Sequence, residues 1–144
     1  AVDRSGAQRP LVVGDRLDTD IAGARAAGLD SLLVLSGVAD ADELLAAPPE
    51  QQPLYLGADL RVLRGSLDDT RIQARPGWRV DSTDGILLLR CDGTADGTAD
   101  KPLDALRTLC AAWWAGNAGP VEVRAGDATA AAALVAVGLR KAAR

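Results

Sequence analysis

At 144 residues, with no histidine, two cysteines and a net charge of −4, the chain has room for one domain or two small ones. These numbers exclude every histidine-dependent mechanism, every histidine-ligated metal and a disulfide framework. The acidic balance argues against a nucleic-acid partner, and no apolar run is long enough to span a bilayer or to serve as a signal peptide, so a soluble cytoplasmic protein with no membrane partner is expected.

Ala1–Pro10 is polar and reads as a connection into the first strand. Leu11-Val12-Val13 has the pattern of a buried parallel strand and ends at Gly14. Such a strand needs neighbours on both sides, so the chain is expected to be a piece of a longer protein whose amino-terminal part is cut off or held on another chain. Asp15, Asp18, Thr19 and Asp20 follow; Ile21, Ala24 and Gly28 then repeat at helical spacing, with Gly28 a C′ stop. Ser31–Leu35 is a second apolar run, closed by Ser36-Gly37, and completes a strand–helix–strand unit. Asp40 and Glu43 have capping-box spacing before a short helix that runs to about Ala47 and stops at Pro48-Pro49. Pro53–Ala58 reads as a short strand, Asp59–Leu63 as a helical turn and Ser66–Arg75 as a polar link.

Charge also divides the chain. Residues 1–73 carry seven basic and twelve acidic groups, residues 74–144 nine and eight, and the shift falls near the turn signal Arg75-Pro76-Gly77. Two domains, 1–73 and 74–144, are expected. In the second, Gly85–Arg90 reads as a strand paired with Trp78–Val80 in a hairpin. Pro102–Ala115 reads as a helix with Leu103, Leu106, Leu109, Cys110 and Trp113 on one face. Val121–Arg124 is a strand, and Ala128–Val137 a helix capped by Asp127 and stopped by Gly138. Trp113-Trp114 suit core or interface packing rather than ligand stacking.

Ligands of a parallel strand–helix–strand unit bind beyond the carboxyl ends of its strands, where Asp15 falls. Asp15 and Asp20 lie at a strand's end and in the first turn of the next helix, where the helix dipole favours carboxylates. Oxygens converging there suit a hard cation such as Mg²⁺, which takes few carboxylates and keeps several waters. The alternative is that Asp18 or Asp20 only caps the helix.

GDRLDTDI, with the downstream AGL and VLSGV, resembles the fourth motif of haloacid dehalogenase (HAD) phosphatases of class IIA, a group that includes 4-nitrophenyl, phosphoglycolate and glycerol 3-phosphate phosphatases. The match runs from about Leu11 to Leu63, and the Ala- and Arg-rich composition resembles the actinobacterial glycerol 3-phosphate phosphatases. The resemblance implies Mg²⁺-dependent hydrolysis of a small phosphomonoester, such as glycerol 3-phosphate or phosphoglycolate, through a phosphoaspartate. It makes Asp15 a direct metal ligand and puts Asp20 behind it, orienting a metal-bound water or a neighbouring side chain. Arg16 and Asp18 are left with surface or helix-start roles. The family's nucleophile motif DxDGT, its phosphate-binding Ser/Thr and Lys motifs and its cap are missing, so the chain alone is expected to be inactive and to supply the metal-binding half. Its partner is then the amino-terminal HAD segment or chain. Cys91-Asp92-Gly93-Thr94 contains a DGT, but Arg90 stands at the nucleophile position and the stretch lies on the wrong side of the fourth motif.

The order strand, helix, strand, helix after residue 74 resembles the carboxyl half of GNAT acetyltransferases. Arg90-Cys91-Asp92-Gly93-Thr94-Ala95 fits their pyrophosphate loop, and Asp127, Ala130, Ala133, Leu134, Gly138 and Leu139 fit the spacing of their last helix. Leu134 occupies the position of the Tyr that acts as general acid, so acetyl transfer is not expected. Asp92, Asp96 and Asp100 recur every four residues in DGTADGTAD, which reads as a solvated loop rather than a calcium site. The expected architecture is α/β: part of a HAD Rossmann-like parallel-sheet core, then a small GNAT-like module. The competing functions are a module holding coenzyme A or another nucleotide through Gly93, and a purely structural interaction domain that packs on the phosphatase core or on a second copy in a homo-oligomer.

Overall fold

The run Leu11–Val13 becomes the first strand of a parallel sheet. In a computed structural model of the chain, which describes residues 10–35, 40–92, 102–139 and 142–143, β1 (Leu11–Gly14) pairs with β2 (Asp30–Val34) and β2 with β3 (Tyr55–Gly57). The chain divides into two units, Ala1–Ala39 with Ala47–Arg71, and Asp40–Ala46 with Ile72–Arg144.

In the first unit β2 is the middle strand, and its Leu32 and Leu33 are fully buried, as are Leu17 and Ile21 of the connection that follows β1. That connection is a single widened π-helical turn, Leu17–Ile21, running into α1 (Ala22–Ala26). Gly28, at φ +72°, closes α1 as the sequence predicts. The Leu29 N–H bonds back to the Ala24 carbonyl at 2.8 Å and the Gly28 N–H to that of Arg25 at 3.1 Å, the two bonds of a Schellman stop. After β3 a 3₁₀ turn, Leu60–Arg64, is capped by Asp59. The expected polar link is more structured than its composition implies. Leu67–Thr70 forms a 3₁₀ turn in which buried Thr70 donates its hydroxyl to the Leu67 carbonyl, and Arg71 bridges to Tyr55.

The second unit is a four-stranded sheet, order β4-β5-β6-β7, of Trp78–Thr83, Ile86–Cys91, Glu122–Ala125 and Ala142–Ala143. β4 and β5 are an antiparallel hairpin, longer than the expected pairing, turned at Asp84 and Gly85, both at positive φ. β5, β6 and β7 are parallel, joined by α3 (Pro102–Trp114) and α4 (Ala128–Val137). The short helix α2 (Ala41–Leu45), capped by the Asp40 carboxylate on the Glu43 N–H at 2.8 Å, belongs with this unit, and the Trp114 indole donates to the Leu45 carbonyl at 3.2 Å.

Helix α3 departs from the expected single apolar face. Leu106, Leu109, Cys110 and Trp113 are buried and Leu103 is half-buried, but Asp104, Arg107 and Thr108 are buried as well. The helix contacts α2, α4, β4 and β5, so little of its circumference meets water. The buried Asp104 carboxylate is held by Arg107 at 2.7 Å and Arg75 at 3.3 Å, as a buried charge requires. Burial pushes the Cys110 thiol far above its ordinary range, which makes it an inert core group. The Trp113 indole donates to the Gly119 carbonyl at 2.9 Å, in keeping with its expected packing role. Among the described residues no helix is long and apolar enough to cross a membrane.

Candidate metal-binding site

β1 ends at Gly14, and Asp15 begins the loop to the widened turn. The turn brings Asp20 back over this loop. Its Oδ2 accepts the N–H of Asp15 at 3.1 Å and that of Arg16 at 3.2 Å. Asp20 therefore does not cap the helical turn. The cap residue is Arg16, with no side-chain cap bond, and the Asp20 oxygen is spent on amides that precede the turn. Nor does Asp18 cap; its carboxylate pairs on the surface with Arg16 at 3.2 Å. Of the three acids, the fold brings Asp15 and Asp20 together and leaves Asp18 outside.

Glycine at position 14 is required by this closure. A Cβ there would stand 2.3 Å from the Cβ of Asp20, far inside contact distance. Asp15, Asp20, Gly14 and Val13 line an open cavity of about 630 Å³, bounded also by Val34 at the end of β2 and by Asp59, Leu60 and Arg61 after β3. The cavity thus sits at the carboxyl ends of all three parallel strands, the position where such sheets bind ligands.

Asp59 and Arg61 were not singled out as site residues in the sequence. Arg61 donates from Nε and its terminal nitrogen to both Asp59 oxygens, the shortest bond being 2.7 Å, and the Asp59 carboxylate also accepts the Arg61 N–H at 2.8 Å. The guanidinium hydrogen-bonded to it lowers the Asp59 carboxyl to about 2, and the Asp59 carboxylate in turn raises Arg61. The D-x-R spacing could have signalled the pair, but only the turn makes it close.

Among the described residues no group of three or more His, Cys, Asp or Glu comes together to hold a metal. Two carboxylates are nonetheless a fitting donor set for Mg²⁺, which is commonly bound by one or two carboxylates, waters and substrate phosphate. They do not make a complete cage for Ca²⁺ or Zn²⁺.

In the second unit the ladder between β5 and β6 reaches the end of β6 and stops two residues short of the end of β5. β5 and β6 pair from Ile86↔Glu122 to Leu89↔Ala125, and the Gly126 N–H continues the ladder to the Leu89 carbonyl at 2.7 Å. Asp127 caps α4 as predicted, accepting from the Ala130 N–H at 2.7 Å, while its other oxygen takes the Cys91 N–H at 2.8 Å. Gly93, Thr94 and Ala95 of the predicted pyrophosphate loop, Asp96 and Asp100, and Ser36-Gly37 after β2 all lie outside the described residues. Leu134, at the expected general-acid position, is buried at 3% exposure.

Residues 1–63 match a family described as HAD-hydrolase-like, and residues 75–139 one described as a GCN5-related N-acetyltransferase-like domain. The chain is 40% identical over 141 residues to the D-glycerol 3-phosphate phosphatase of Mycobacterium tuberculosis, a match covering 93% of this chain and 40% of that protein. A crystal structure of glycerol phosphate phosphatase from M. tuberculosis in complex with calcium superposes with a TM-score of 0.83 at 41% identity, covering 92% of this chain and 38% of that one. The complex of that enzyme with magnesium gives 0.82 at 40%, covering 94% and 40%. The chain spans about two fifths of the length of these relatives. Both resemblances read from the sequence hold, and so does the α/β class: a parallel HAD-like sheet followed by a GNAT-like module.

Proposed function

We propose that this chain is the metal-binding part of a cytoplasmic HAD-type phosphatase. The enzyme would hydrolyse a small phosphomonoester such as glycerol 3-phosphate or phosphoglycolate through a phosphoaspartate, with residues 1–73 belonging to the catalytic core and 74–144 forming a GNAT-like module. The observation that carries this reading is the convergence of Asp15 and Asp20 on an open cavity at the carboxyl ends of three parallel strands. The relatives' activity, and the magnesium bound by one of them, support it.

In this reading Asp15 is the carboxylate that meets Mg²⁺, and the cation when bound neutralises the phosphate oxygens. Asp20 serves behind it, holding the loop that carries Asp15. The nucleophilic aspartate belongs to sequence outside these 144 residues, on an amino-terminal segment or chain that completes the sheet beside β1; no DxDGT precedes Leu11. The GNAT-like module is structural, suited to packing on the phosphatase core or on a second copy. The buried Leu134 favours this over acetyl transfer, which needs a proton donor at that position.

The isolated chain, assayed with 4-nitrophenyl phosphate and Mg²⁺, should show no turnover above buffer, and the full-length protein should show turnover that chelation abolishes. Activity of the isolated chain that survives purification would refute the reading.

A further inference from the structure

We infer that the outer edge of β4 is a self-pairing surface, on which a second copy of this chain adds its own β4, antiparallel and across a two-fold axis. The inference rests on the reading of the GNAT-like module as structural, and it names the partner that this module would hold.

Three observations lead to it. The first is an open edge. β4 stands at the end of its sheet and pairs with β5 alone. In an antiparallel ladder successive residues turn their N–H and C=O alternately toward the partner strand and away from it. The Asp92 N–H bonds the Gly77 carbonyl at 3.0 Å, one step beyond the pair Trp78↔Cys91, so Gly77, Arg79, Asp81 and Thr83 face β5. Trp78, Val80 and Ser82 therefore face outward. The Trp78 N–H reaches back to the Arg75 carbonyl at 3.4 Å, but among the described residues nothing bonds the outward groups of Val80 and Ser82.

The second observation is charge. Arg79 and Asp81 are exposed and, two apart on a strand, share one face. Across the hairpin Arg79 meets Arg90 and Asp81 meets Leu88. Like charges placed opposite each other destabilise a sheet, and neither Arg79 nor Asp81 has an ion pair among the described residues.

The third is register. Two copies of one strand bond across a two-fold axis only where outward residues meet, so the axis passes Trp78, Val80 or Ser82. The Val80 axis alone uses the whole strand. It sets Val80 against Val80, Trp78 against Ser82, and Arg79 against Asp81 of the other copy, once on each side. The charged pairs then occupy the non-hydrogen-bonded positions, where side chains stand closest. Charges on an edge ordinarily ward off other strands; here their signs and spacing admit a copy. The strand's 6 residues make an edge about 20 Å long, less than the about 800 Å² per partner of a standard interface, so the dimer is weak.

The test uses the full-length protein as wild type, Arg79→Asp, Asp81→Arg, the double reversal and Ser82→Pro. Association is followed by sedimentation equilibrium at low salt, and exchange of the Val80 and Ser82 amides is followed against concentration. Wild type should dimerise with a dissociation constant of about 100 μM, and both amides should gain protection as concentration rises. Each single reversal puts charges of one sign on the edge and should weaken the dimer about tenfold or more. The double reversal should restore it, and so should an equimolar mixture of the two single reversals, whose acidic and basic edges complement each other. Ser82→Pro loses an N–H that faces away from β5, so the hairpin survives and the dimer should not. Wild type that stays monomeric at about 500 μM overturns the inference. A dimer that the reversals leave intact, or that mixing fails to restore, also overturns it. Protection of both amides in the monomer would mean that another part of the same protein covers the edge, and the inference falls. Should a reversal fail to fold, Ser82→Pro and the concentration dependence of exchange decide. Coenzyme A binding with acetyl transfer would refute the structural reading of the module and leave the dimer measurement untouched.

Discussion

At the carboxyl end of β1 the Asp20 carboxylate accepts the amides of Asp15 and Arg16; at the carboxyl end of β5 the Asp127 carboxylate accepts those of Cys91 and Ala130. Glycine permits the close approach of Asp20; at the second end the glycine, Gly126, faces Arg90 and not Asp127. A Cβ at Gly14 would strike Asp20, and one at Gly126 would come within 2.7 Å of the Arg90 side chain. The consequences differ because of what the carboxylate ties together. Asp20 ties a loop back upon itself and leaves Asp15 on the wall of an open cavity. Asp127 ties the head of α4 to the end of the neighbouring strand, so the ladder from β5 to β6 runs on into Gly126 and the helix cap. The same chemistry holds a loop beside an open cavity in one unit and ties a helix to a strand in the other. The same hydrogen bond therefore does different work according to whether it joins residues of one loop or of two elements.

The sharpest break of this comparison is Asp15→Asn. If the open end is the site, the full-length protein should lose about 10²–10³-fold in Mg²⁺-dependent turnover, equivalent to about 3–4 kcal/mol, with its thermal midpoint little changed. Equal Mg²⁺ affinity for wild type and variant by calorimetry would show that the cavity wall is not a metal site. The next largest effect belongs to the second unit's interior. Asp104→Ala leaves Arg75 and Arg107 buried without their shared carboxylate and should destabilise by about 3 kcal/mol, read from the denaturant midpoint.

Asp127→Ala tests the tie between α4 and β5. It removes a helix cap and the tie to Cys91, at a cost of about 1–2 kcal/mol. The Cys91 amide should exchange faster, and the variant, like wild type, should bind no coenzyme A at micromolar concentration. Micromolar binding with acetyl transfer to any amine would overturn the structural reading of the GNAT-like module.

Much of this was legible in the sequence because it is local. Apolar runs marked β1, β2 and β5, Gly28 and Gly138 marked helix stops, and Asp40 and Asp127 marked caps, each set by neighbours within a few residues. That Asp15 and Asp20 come together at the end of β1 was legible in GDRLDTDI. What stayed hidden depends on contacts between distant residues. The second bond of Asp127 joins residues 36 apart, and the burial of Asp104 and Arg107 follows from the elements that surround α3. Periodicity assigns one face of a helix to the core; it does not show that a sheet and two helices cover nearly all of it. The steric demand at Gly14 is invisible for the same reason, since the glycine reads simply as the end of a strand.

The smallest effect is expected at the third strand end, where Asp59 and Arg61 border the cavity as a self-contained surface pair. Arg61→Gln removes the guanidinium, so the Asp59 carboxyl should rise from about 2 toward its ordinary range, as followed by the carboxyl carbon shift in an NMR titration. The sign is fixed by linkage. A carboxyl lowered in the folded state adds stability above its unfolded pKa of about 3.9 and loses it as the pH falls toward 2. Wild type and Arg61→Gln should therefore differ most near neutral pH and converge in acid. Because Arg61 is 79% exposed and its partner 40%, solvent screening keeps even that difference small, and added salt should erase it. A large, salt-resistant loss of thermal stability in Arg61→Gln would mean that the pair holds the strand end in place, and the cavity would then rest on carboxylate bonds at β3 as well as at β1.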